Sequence, residues 1–262
     1  YWAEYESQSI LNPWDKIQSS NFDINVIKRP RINSIEFIVT PPDYSKLEKT
    51  YYSANNTDIS MIEGSSININ ARANKVLAKA WLESGDNLIP LYVENNYIKD
   101  DVTFTSSCNI ILMCEDKTKI KNINPPLNKI NVIKDTSPQI FVSSPNNEFS
   151  INDDRLIEID MQIIDDYGVA GAWLEYKIIK PIYLRQDSSI YKYEIDNIDQ
   201  SQKAQRVIHN WDISNHFLAP DDMIEFYILI VDNNNVTGPS LGKAGPFIGK
   251  VPSLDDLFEN IS

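Results

Sequence analysis

The chain has 262 residues, of which 42% are hydrophobic and 23% charged, and its formal net charge at pH 7 is −13. This length accommodates one large domain or two of ordinary size, and the composition excludes a wholly disordered or collagen-like chain. A protein this acidic has no general attraction for nucleic acid or anionic lipid. No run of 18 apolar residues occurs, so we expect membrane attachment only through segments outside this chain.

The first part of the chain predicts a flank followed by a β-sandwich. Residues 1–24 show no clear alternation, which indicates a linker or a short amphipathic helix. Within residues 25–135, apolar and polar side chains alternate around Ile35, Ile67 and Cys108. This pattern is typical of half-buried antiparallel strands, and the spacing of the turn signals predicts a sandwich of about seven strands.

Residues 136–251 predict a second sandwich of the same kind. Apolar residues alternate from Ile157 to Ile163, and about seven strands are predicted in all. The other predicted strands span residues 139–143, 170–184, 190–195, 205–212, 223–231 and 247–250. Pro138 stiffens the connection between the sandwiches, so we expect restricted movement between them. Solubility is the simplest explanation for the acidic character of this half, and a cation site or a basic partner is the functional one.

The fold class predicted for the whole chain is all-β. We expect two tandem antiparallel immunoglobulin-like (Ig-like) β-sandwiches with short non-β flanks. Residues 252–262 predict the start of a C-terminal helix, because Ser253 is a good N-cap residue and acidic residues follow it.

The two cysteines predict buried core positions. Cys108 and Cys114 lie on one predicted strand, and their even spacing places both thiols on the same face. Six residues of strand separate them by roughly 20 Å, which is too far for a mutual disulfide.

Two acidic loops form the candidate metal site. Asp165 and Asp166 follow one predicted strand, and Asp232 begins a run of asparagines after another. Carboxylate, amide and main-chain oxygens are the ligands that calcium prefers, and the two loops can meet at one pole of the second sandwich, joined by Asp153 and Asp154. The same residue types form tight turns without metal, so a calcium site and a pair of turns are the two interpretations. No other cofactor is expected.

No motif predicts catalysis. The chain lacks the nucleophile elbow, the dinucleotide-binding and phosphate-binding glycine loops and the zinc-protease helix motif, and His209 and His216 belong to no recognisable triad. We therefore expect no catalytic residue in this segment. Tyrosines on strands are candidates for stacking on sugars, whereas the mid-strand Trp81 and Trp173 are expected in the sandwich cores.

A series of short motifs gives the chain a resemblance to a known family. In chain order these are VIKRPRI (26–32), TPPDYS (40–45), IEGS (62–65), ANKVLAKAWL (73–82), DTSP (135–138), DDYGV (165–169), VDNNNVTGP (231–239) and VPSL (251–254). From about residue 25 to residue 254, the chain resembles an uncharacterised bacterial envelope family known as "domain of unknown function 4175".

The resemblance implies that the chain is the Ig-like middle of a longer protein. Members of the family typically carry N-terminal transmembrane helices, then Ig-like domains outside the cytoplasmic membrane, then a long helical region. No catalytic residue is established for the family. We therefore expect a non-catalytic, extracytoplasmic structural or protein-interaction segment of a membrane-anchored bacterial envelope protein, with other envelope proteins as partners. Two alternatives remain. One is a calcium-dependent adhesion or glycan-binding module that uses Asp165, Asp166 and Asp232, and the other is an accessory module of an enzyme whose catalytic domain lies elsewhere in the protein.

Overall fold

The computed structural model describes residues 2–6, 11, 16–53, 58–185 and 188–253. These residues form twenty β-strands and one short 3-10 helix, so the described chain is almost entirely β. Apart from Ser253, the helix predicted for the C-terminal flank lies outside the described residues.

The N-terminal flank contains a small antiparallel ladder. Strand β1 (Glu4–Glu6) pairs with β2 (Lys16–Gln18), and Lys16 forms an ion pair with Glu4. This flank, which we predicted to lack β structure, therefore holds two short strands. Strands of three residues are too short to show alternation in a sequence.

The first sandwich consists of two five-stranded sheets. One sheet contains β3 (Ile32–Thr40), β4 (Thr50–Tyr52), β6 (Ser66–Ala73), β9 (Val93–Glu94) and β10 (Tyr97–Thr103). The other contains β5 (Asp58–Ile62), β7 (Leu77–Ser84), β8 (Asn87–Leu91), β11 (Cys108–Asp116) and β12 (Leu127–Ile133). The strand orders are β4-β3-β6-β10-β9 and β5-β12-β11-β7-β8. The short 3-10 helix (Asp43–Ser45) follows β3.

Inward-facing residues of both sheets form one core in the first sandwich. Phe37 and Ile69 contribute from one sheet, and Leu82 from the other, all without exposed surface. Cys114 is buried in this core and Cys108 packs against it, which confirms that the two thiols share a face. Both thiols are free.

The second sandwich pairs a three-stranded sheet with a five-stranded one. The smaller sheet contains β13 (Gln139–Ser144), β15 (Leu156–Ile164) and β18 (Ala204–Asp212), with β15 in the centre. The larger contains β14 (Glu148–Ser150), β16 (Val169–Ile179), β17 (Tyr191–Ile195), β19 (Met223–Asp232) and β20 (Leu241–Lys250), in the order β14-β20-β19-β16-β17. Strand β16 ends well before residue 184, where we predicted its end, because Pro181 cannot donate to a sheet.

The core of the second sandwich is centred on one tryptophan. Trp211 is 1% exposed, and its ring centroid lies 4.9 Å from that of Tyr176 and 5.4 Å from that of Phe226. The prediction that Trp81 and Trp173 lie in the cores was wrong, since both are only half-buried. Their immediate neighbours along the strand are the residues that point inward, so alternation places both indoles on outer faces.

Most of the described strands pair antiparallel, but each sandwich also has one parallel pair among them. Strand β5 is parallel to β12, and β14 is parallel to β20. In each sandwich an early strand therefore crosses to the opposite sheet and joins the last strand of the domain.

Within the described part of the chain, no sheet contains strands from both sides of residues 134–138. This connector is packed against the second sandwich. Pro138 is buried, and a Cβ on Gly242 of β20 would lie 2.3 Å from the Pro138 oxygen. The close approach explains why a glycine occupies this position of the strand.

Candidate functional site

The two sandwiches meet at a junction built from strand ends. Tyr44 lies in the 3-10 helix after β3, Asp135 in the connector, and Asp165 directly after β15. Asp232 is the last residue of β19. The structure thus brings the two acidic loops of the second sandwich together and places them against the first sandwich.

Asn233 links the sandwiches by hydrogen bonds. Its side-chain Nδ2 donates to the main-chain oxygen of Tyr44 at 3.3 Å and to that of Tyr167 at 3.0 Å. The rings of Tyr44 and Tyr167 meet edge to face, with centroids 5.8 Å apart and an interplanar angle of 87°. This geometry is a favourable one for an aromatic pair.

The Asp232 carboxylate accepts hydrogen bonds from residues of the loop that follows it. Its Oδ1 accepts hydrogen bonds from the main-chain nitrogens of Asn234 at 3.2 Å and Ser240 at 2.9 Å, and its Oδ2 accepts one from the Ser240 hydroxyl. The side chain is 1% exposed. These bonds stabilise the conformation of the loop after β19, so the role of this carboxylate is mainly structural.

One carboxylate oxygen of Asp165 accepts hydrogen bonds, and the other has no partner among the described residues. Its Oδ2 accepts from the main-chain nitrogens of Tyr167 at 2.9 Å and Gly168 at 2.7 Å, which fixes the turn. Its Oδ1 is buried and accepts no hydrogen bond from any described residue. Asp165 is 5% exposed, so the free oxygen points into the protein and not into solvent.

The remaining acidic residues of the predicted site are not part of the buried cluster. Asp166 is exposed, and its Oδ2 accepts a hydrogen bond of 2.5 Å from the Thr136 hydroxyl. Asp153 and Asp154 precede β15, whereas Asp165 follows it, so roughly 26 Å of strand separates them. They do not join the other acidic residues.

The junction concentrates buried polar atoms that lack partners among the described residues. They are the Tyr44 hydroxyl, both carboxylate oxygens of Asp135, Asp165 Oδ1 and Asn233 Oδ1. The Tyr44 hydroxyl approaches the Asp135 carboxylate without reaching full hydrogen-bond geometry. Sequence reasoning missed Tyr44 and Asp135 as site residues, and it placed Asn233 in the second acidic loop without singling it out.

Burial and mutual repulsion shape the ionisation of this cluster. Desolvation raises the pKa of Asp135 above its ordinary value, and the charges of Asp232 and Asp165 raise it further. Desolvation also raises the pKa of Asp165, with smaller contributions from Asp232 and Asp166, although hydrogen bonds from the loop amides lower it. The same causes, burial first and Asp135 second, raise the pKa of the Tyr44 phenol. The carboxylates of Asp135 and Asp165 are therefore costly to hold ionised.

No group of three or more His, Cys, Asp or Glu side chains in the described ranges has an arrangement that could hold a metal ion. A cation at this junction would therefore need neutral oxygens in addition to carboxylates. Main-chain, amide and water oxygens are suitable for calcium.

The histidines lie in the aromatic core of the second sandwich. The hydroxyl of Tyr176 is 3.1 Å from Nε2 of His216, and the ring of His209 packs against Tyr193 at 5.5 Å. Burial lowers the pKa of His209. Both rings contribute to packing around Trp211.

A groove of about 620 Å³ lies on the outer face of the first sandwich. Tyr92 and Tyr97, 63% and 51% exposed, line it together with Arg72, Glu94 and Asn70. The Arg72 guanidinium lies 5.3 Å from the centroid of the Tyr97 ring. Exposed aromatic rings beside polar groups are suited to stacking and hydrogen bonding with a polar ligand.

The sheet topology defines the chain as a tandem of two Ig-like β-sandwiches. No family model and no curated protein matches it. The fibronectin(III)-like modules of Clostridium thermocellum CbhA are similar over 76% of this chain and 92% of theirs, with 13% identity and a TM-score of 0.25. A 1.5-MDa bacterial ice-binding adhesin is similar over 71% of this chain and 58% of its own, with 11% identity and a TM-score of 0.39.

Human CDH23 EC21-23 is similar over 70% of this chain and 62% of its own, with 13% identity and a TM-score of 0.22. At such scores these structures carry no argument about function, and the fold assignment rests on the sheets of this chain. Among the described residues, no helix is both long and apolar enough to cross a membrane.

Proposed function

We propose that this chain is a non-catalytic, extracytoplasmic structural and protein-interaction segment of a larger, membrane-anchored bacterial envelope protein. Its mechanism is passive: the two sandwiches act as a spacer that holds exposed sheet faces and edges at a set separation for a partner to bind.

The observation that supports this proposal is the packed junction. A short connector, the Tyr44–Tyr167 ring contact and the Asn233 hydrogen bonds join the two sandwiches. A spacer transmits position only when its domains do not move freely, and a connector anchored by Pro138 limits such movement.

Small-angle scattering of the chain tests the spacer. One narrow distribution of distances between the sandwiches is expected for the unmodified chain. Replacing both Tyr44 and Asn233 with alanine is expected to broaden it, whereas the Tyr51→Ala variant, altered at an exposed residue of β4, serves as the control. A broad distribution in the unmodified chain would contradict the proposal.

The location is tested separately in cells that make the complete protein. In a Cys108→Ser background, a cysteine introduced at exposed Ser20 should react with a membrane-impermeant maleimide in spheroplasts whose cytoplasmic membrane is intact. Labelling only after lysis would place the segment in the cytoplasm and refute an envelope role.

The groove on the first sandwich favours glycan binding as a second candidate function. Tyr92 and Tyr97 would stack on sugar rings, while Arg72 and Glu94 would bind hydroxyl groups. Binding to envelope polysaccharide fragments, measured by calorimetry, should be lost in the Tyr92→Ala and Tyr97→Ala variants and retained in Tyr51→Ala. Equal binding by all three variants would exclude the groove.

A further inference from the structure

We propose that the junction binds a calcium ion through the carboxylates of Asp135 and Asp165 and the side-chain oxygen of Asn233. This proposal does not depend on the envelope location and rests on the buried oxygens alone. It replaces two residues of the site predicted from sequence, because Asp166 and Asp232 are engaged elsewhere.

The junction contains more buried hydrogen-bond acceptors than donors that could satisfy them. Five buried polar atoms at the junction lack partners among the described residues, and four of them, on Asp135, Asp165 and Asn233, can only accept when the carboxylates are ionised. Only the Tyr44 hydroxyl can donate, and it can satisfy one acceptor at most. Buried acceptors that cannot satisfy one another require a proton, water or a cation.

Two of these oxygens are held in place by the hydrogen bonds of neighbouring atoms. The Asn233 amide nitrogen donates to the main-chain oxygens of Tyr44 and Tyr167. Because the amide group is planar, these two bonds also fix the direction in which Oδ1 points. Asp165 Oδ2 is held by two loop amides, at 2.9 Å and 2.7 Å, which leaves Oδ1 as the available oxygen. Preoriented oxygens reduce the cost of assembling a cation site.

Negative charge accumulates at the junction. Asp135 and Asp165 interact electrostatically with each other and with Asp232, and no cation of the described chain forms an ion pair with any of the three. Like charges at partly or fully buried positions destabilise a fold unless something compensates them. One divalent ion neutralises the charge of the two carboxylates that have free oxygens.

The choice of calcium follows from the ligand set. Every candidate ligand is an oxygen, which excludes soft metals that prefer thiolate or imidazole. Two carboxylates and one amide leave several positions for main-chain oxygens and water, and calcium accepts such flexible coordination, whereas magnesium demands a near-ideal octahedron.

The site joins the parts that determine the geometry of the junction. Asp135 belongs to the connector, Asp165 and Asn233 belong to the second sandwich, and Asn233 is bonded to Tyr44 of the first. A bound ion therefore restrains the connector against the second sandwich, next to the contact with the first.

The test is thermal unfolding of the whole chain in excess calcium and in chelator. Extracellular calcium modules bind at about 10⁻⁴–10⁻³ M. We expect calcium, at a concentration roughly ten times Kd, to raise a melting temperature by about 3–6 °C. The affected transition is the one in which the second sandwich unfolds, because Asp165 and Asn233 belong to it. The same concentration of magnesium should give a smaller shift.

Variants distinguish a bound calcium ion from a cluster of acidic residues that binds no ion. Asp135→Asn and Asp165→Asn should abolish the calcium-dependent shift, and Asp135→Asn should melt higher than the unmodified chain in chelator, because it removes repulsion. Asp154→Asn, at the opposite end of β15, should retain the full shift. Terbium luminescence excited through tyrosine should appear in the unmodified chain and in Asp154→Asn but not in Asp165→Asn.

Two outcomes would overturn the proposal. One is a melting temperature that does not change between calcium and chelator, which would show that protons or water satisfy the buried oxygens. The other is a shift that persists in both Asp135→Asn and Asp165→Asn, which would locate the ion elsewhere. Neither outcome alters the spacer proposal, which scattering tests independently.

Discussion

Gly64 of the first sandwich lies against Val236 of the second, so closely that a Cβ on Gly64 would stand 2.5 Å from Val236 Cγ1. Gly64 also has a φ of +85°, in the left-handed region that favours glycine. Two independent requirements, one of the turn and one of the junction, therefore act on this residue.

Substitution of Gly64 by alanine should lower the free energy of unfolding by more than the positive φ of this residue alone explains. We expect a loss of about 2–4 kcal/mol in the free energy of unfolding, from the positive φ and the overpacked contact. Gly85→Ala is the matched control, since Gly85 has a φ of +58° and no atom within 4 Å of its added Cβ. It should lose only about 1 kcal/mol.

A double variant separates the loss due to the positive φ from the loss due to the contact with Val236. Gly64→Ala combined with Val236→Ala should recover part of the loss, as chemical denaturation will measure. Equal losses in Gly64→Ala and Gly85→Ala would mean that the two sandwiches do not touch at this point in solution.

The tryptophans should differ sharply in their contribution to stability. Replacing Trp211 with alanine removes the centre of the second core and should cost about 3–5 kcal/mol. Replacing Trp173, half-buried on the outer face of β16, should cost only about 1 kcal/mol. Denaturant unfolding measures both values, and a larger loss in the Trp173 variant would reverse the assignment of inner and outer faces.

Asp116 should make the first sandwich sensitive to acid. Its buried carboxylate accepts hydrogen bonds from the Lys75 ammonium at 2.7 Å, from the Thr118 hydroxyl and main-chain nitrogen at 2.7 and 2.9 Å, and from the Ile120 nitrogen at 3.0 Å. The Lys75 ammonium contributes most to holding the pKa of Asp116 well below its usual range, and the Thr118 hydroxyl adds to this.

Because the folded-state pKa is below the unfolded value of about 3.9, the stabilisation is present above that pH and lost as the pH falls towards the folded value. Asp116→Asn should therefore melt several degrees below the unmodified chain at pH 7, and this difference should shrink below pH 4. Asp86→Asn, in the exposed turn before β8, should show no such difference. A gap that is constant with pH would refute this account.

The two cysteines should react very differently with alkylating reagents. Burial raises the pKa of Cys114 to about 11, so at pH 8 only roughly one thiol in a thousand is ionised. Cys108 is half-buried at the start of β11. Iodoacetamide should modify Cys108 in the folded chain and Cys114 only in denaturant, as peptide mass spectrometry will show. Equal labelling of both cysteines in the native chain would contradict the burial of Cys114.

The sequence predicted the long central strands well because their alternation is strong. In strand β15 the side chains from Ile157 to Ile163 alternate between buried positions and exposed or half-buried ones, as predicted. The first half of β20 was missed, because Gly242, Gly245 and Pro246 are poor strand formers and the ladder with β19 is irregular there. Short strands such as β4 and β9 show too few residues for any period to be visible.

The candidate site could be predicted only in part, because it is assembled from distant positions. Asp165 and Asp232 were identifiable because each ends a strand, and strand ends of one sandwich meet at a pole. Asn233 contacts Tyr44, which lies 189 positions earlier in the sequence. No local pattern records such a contact, so the contributions of Tyr44 and Asp135 depended on how the two sandwiches pack.

The parallel strand pairs determine how each sandwich would respond to tension between its ends. Pulling on the termini drives the early strand and the last strand in opposite directions along their common axis, so the hydrogen bonds between them shear together and do not open one at a time. The pair β5–β12 joins five residues with five, whereas β14–β20 joins three with three. Under tension, the second sandwich should therefore yield at a lower force than the first, as single-molecule pulling on the tandem would record.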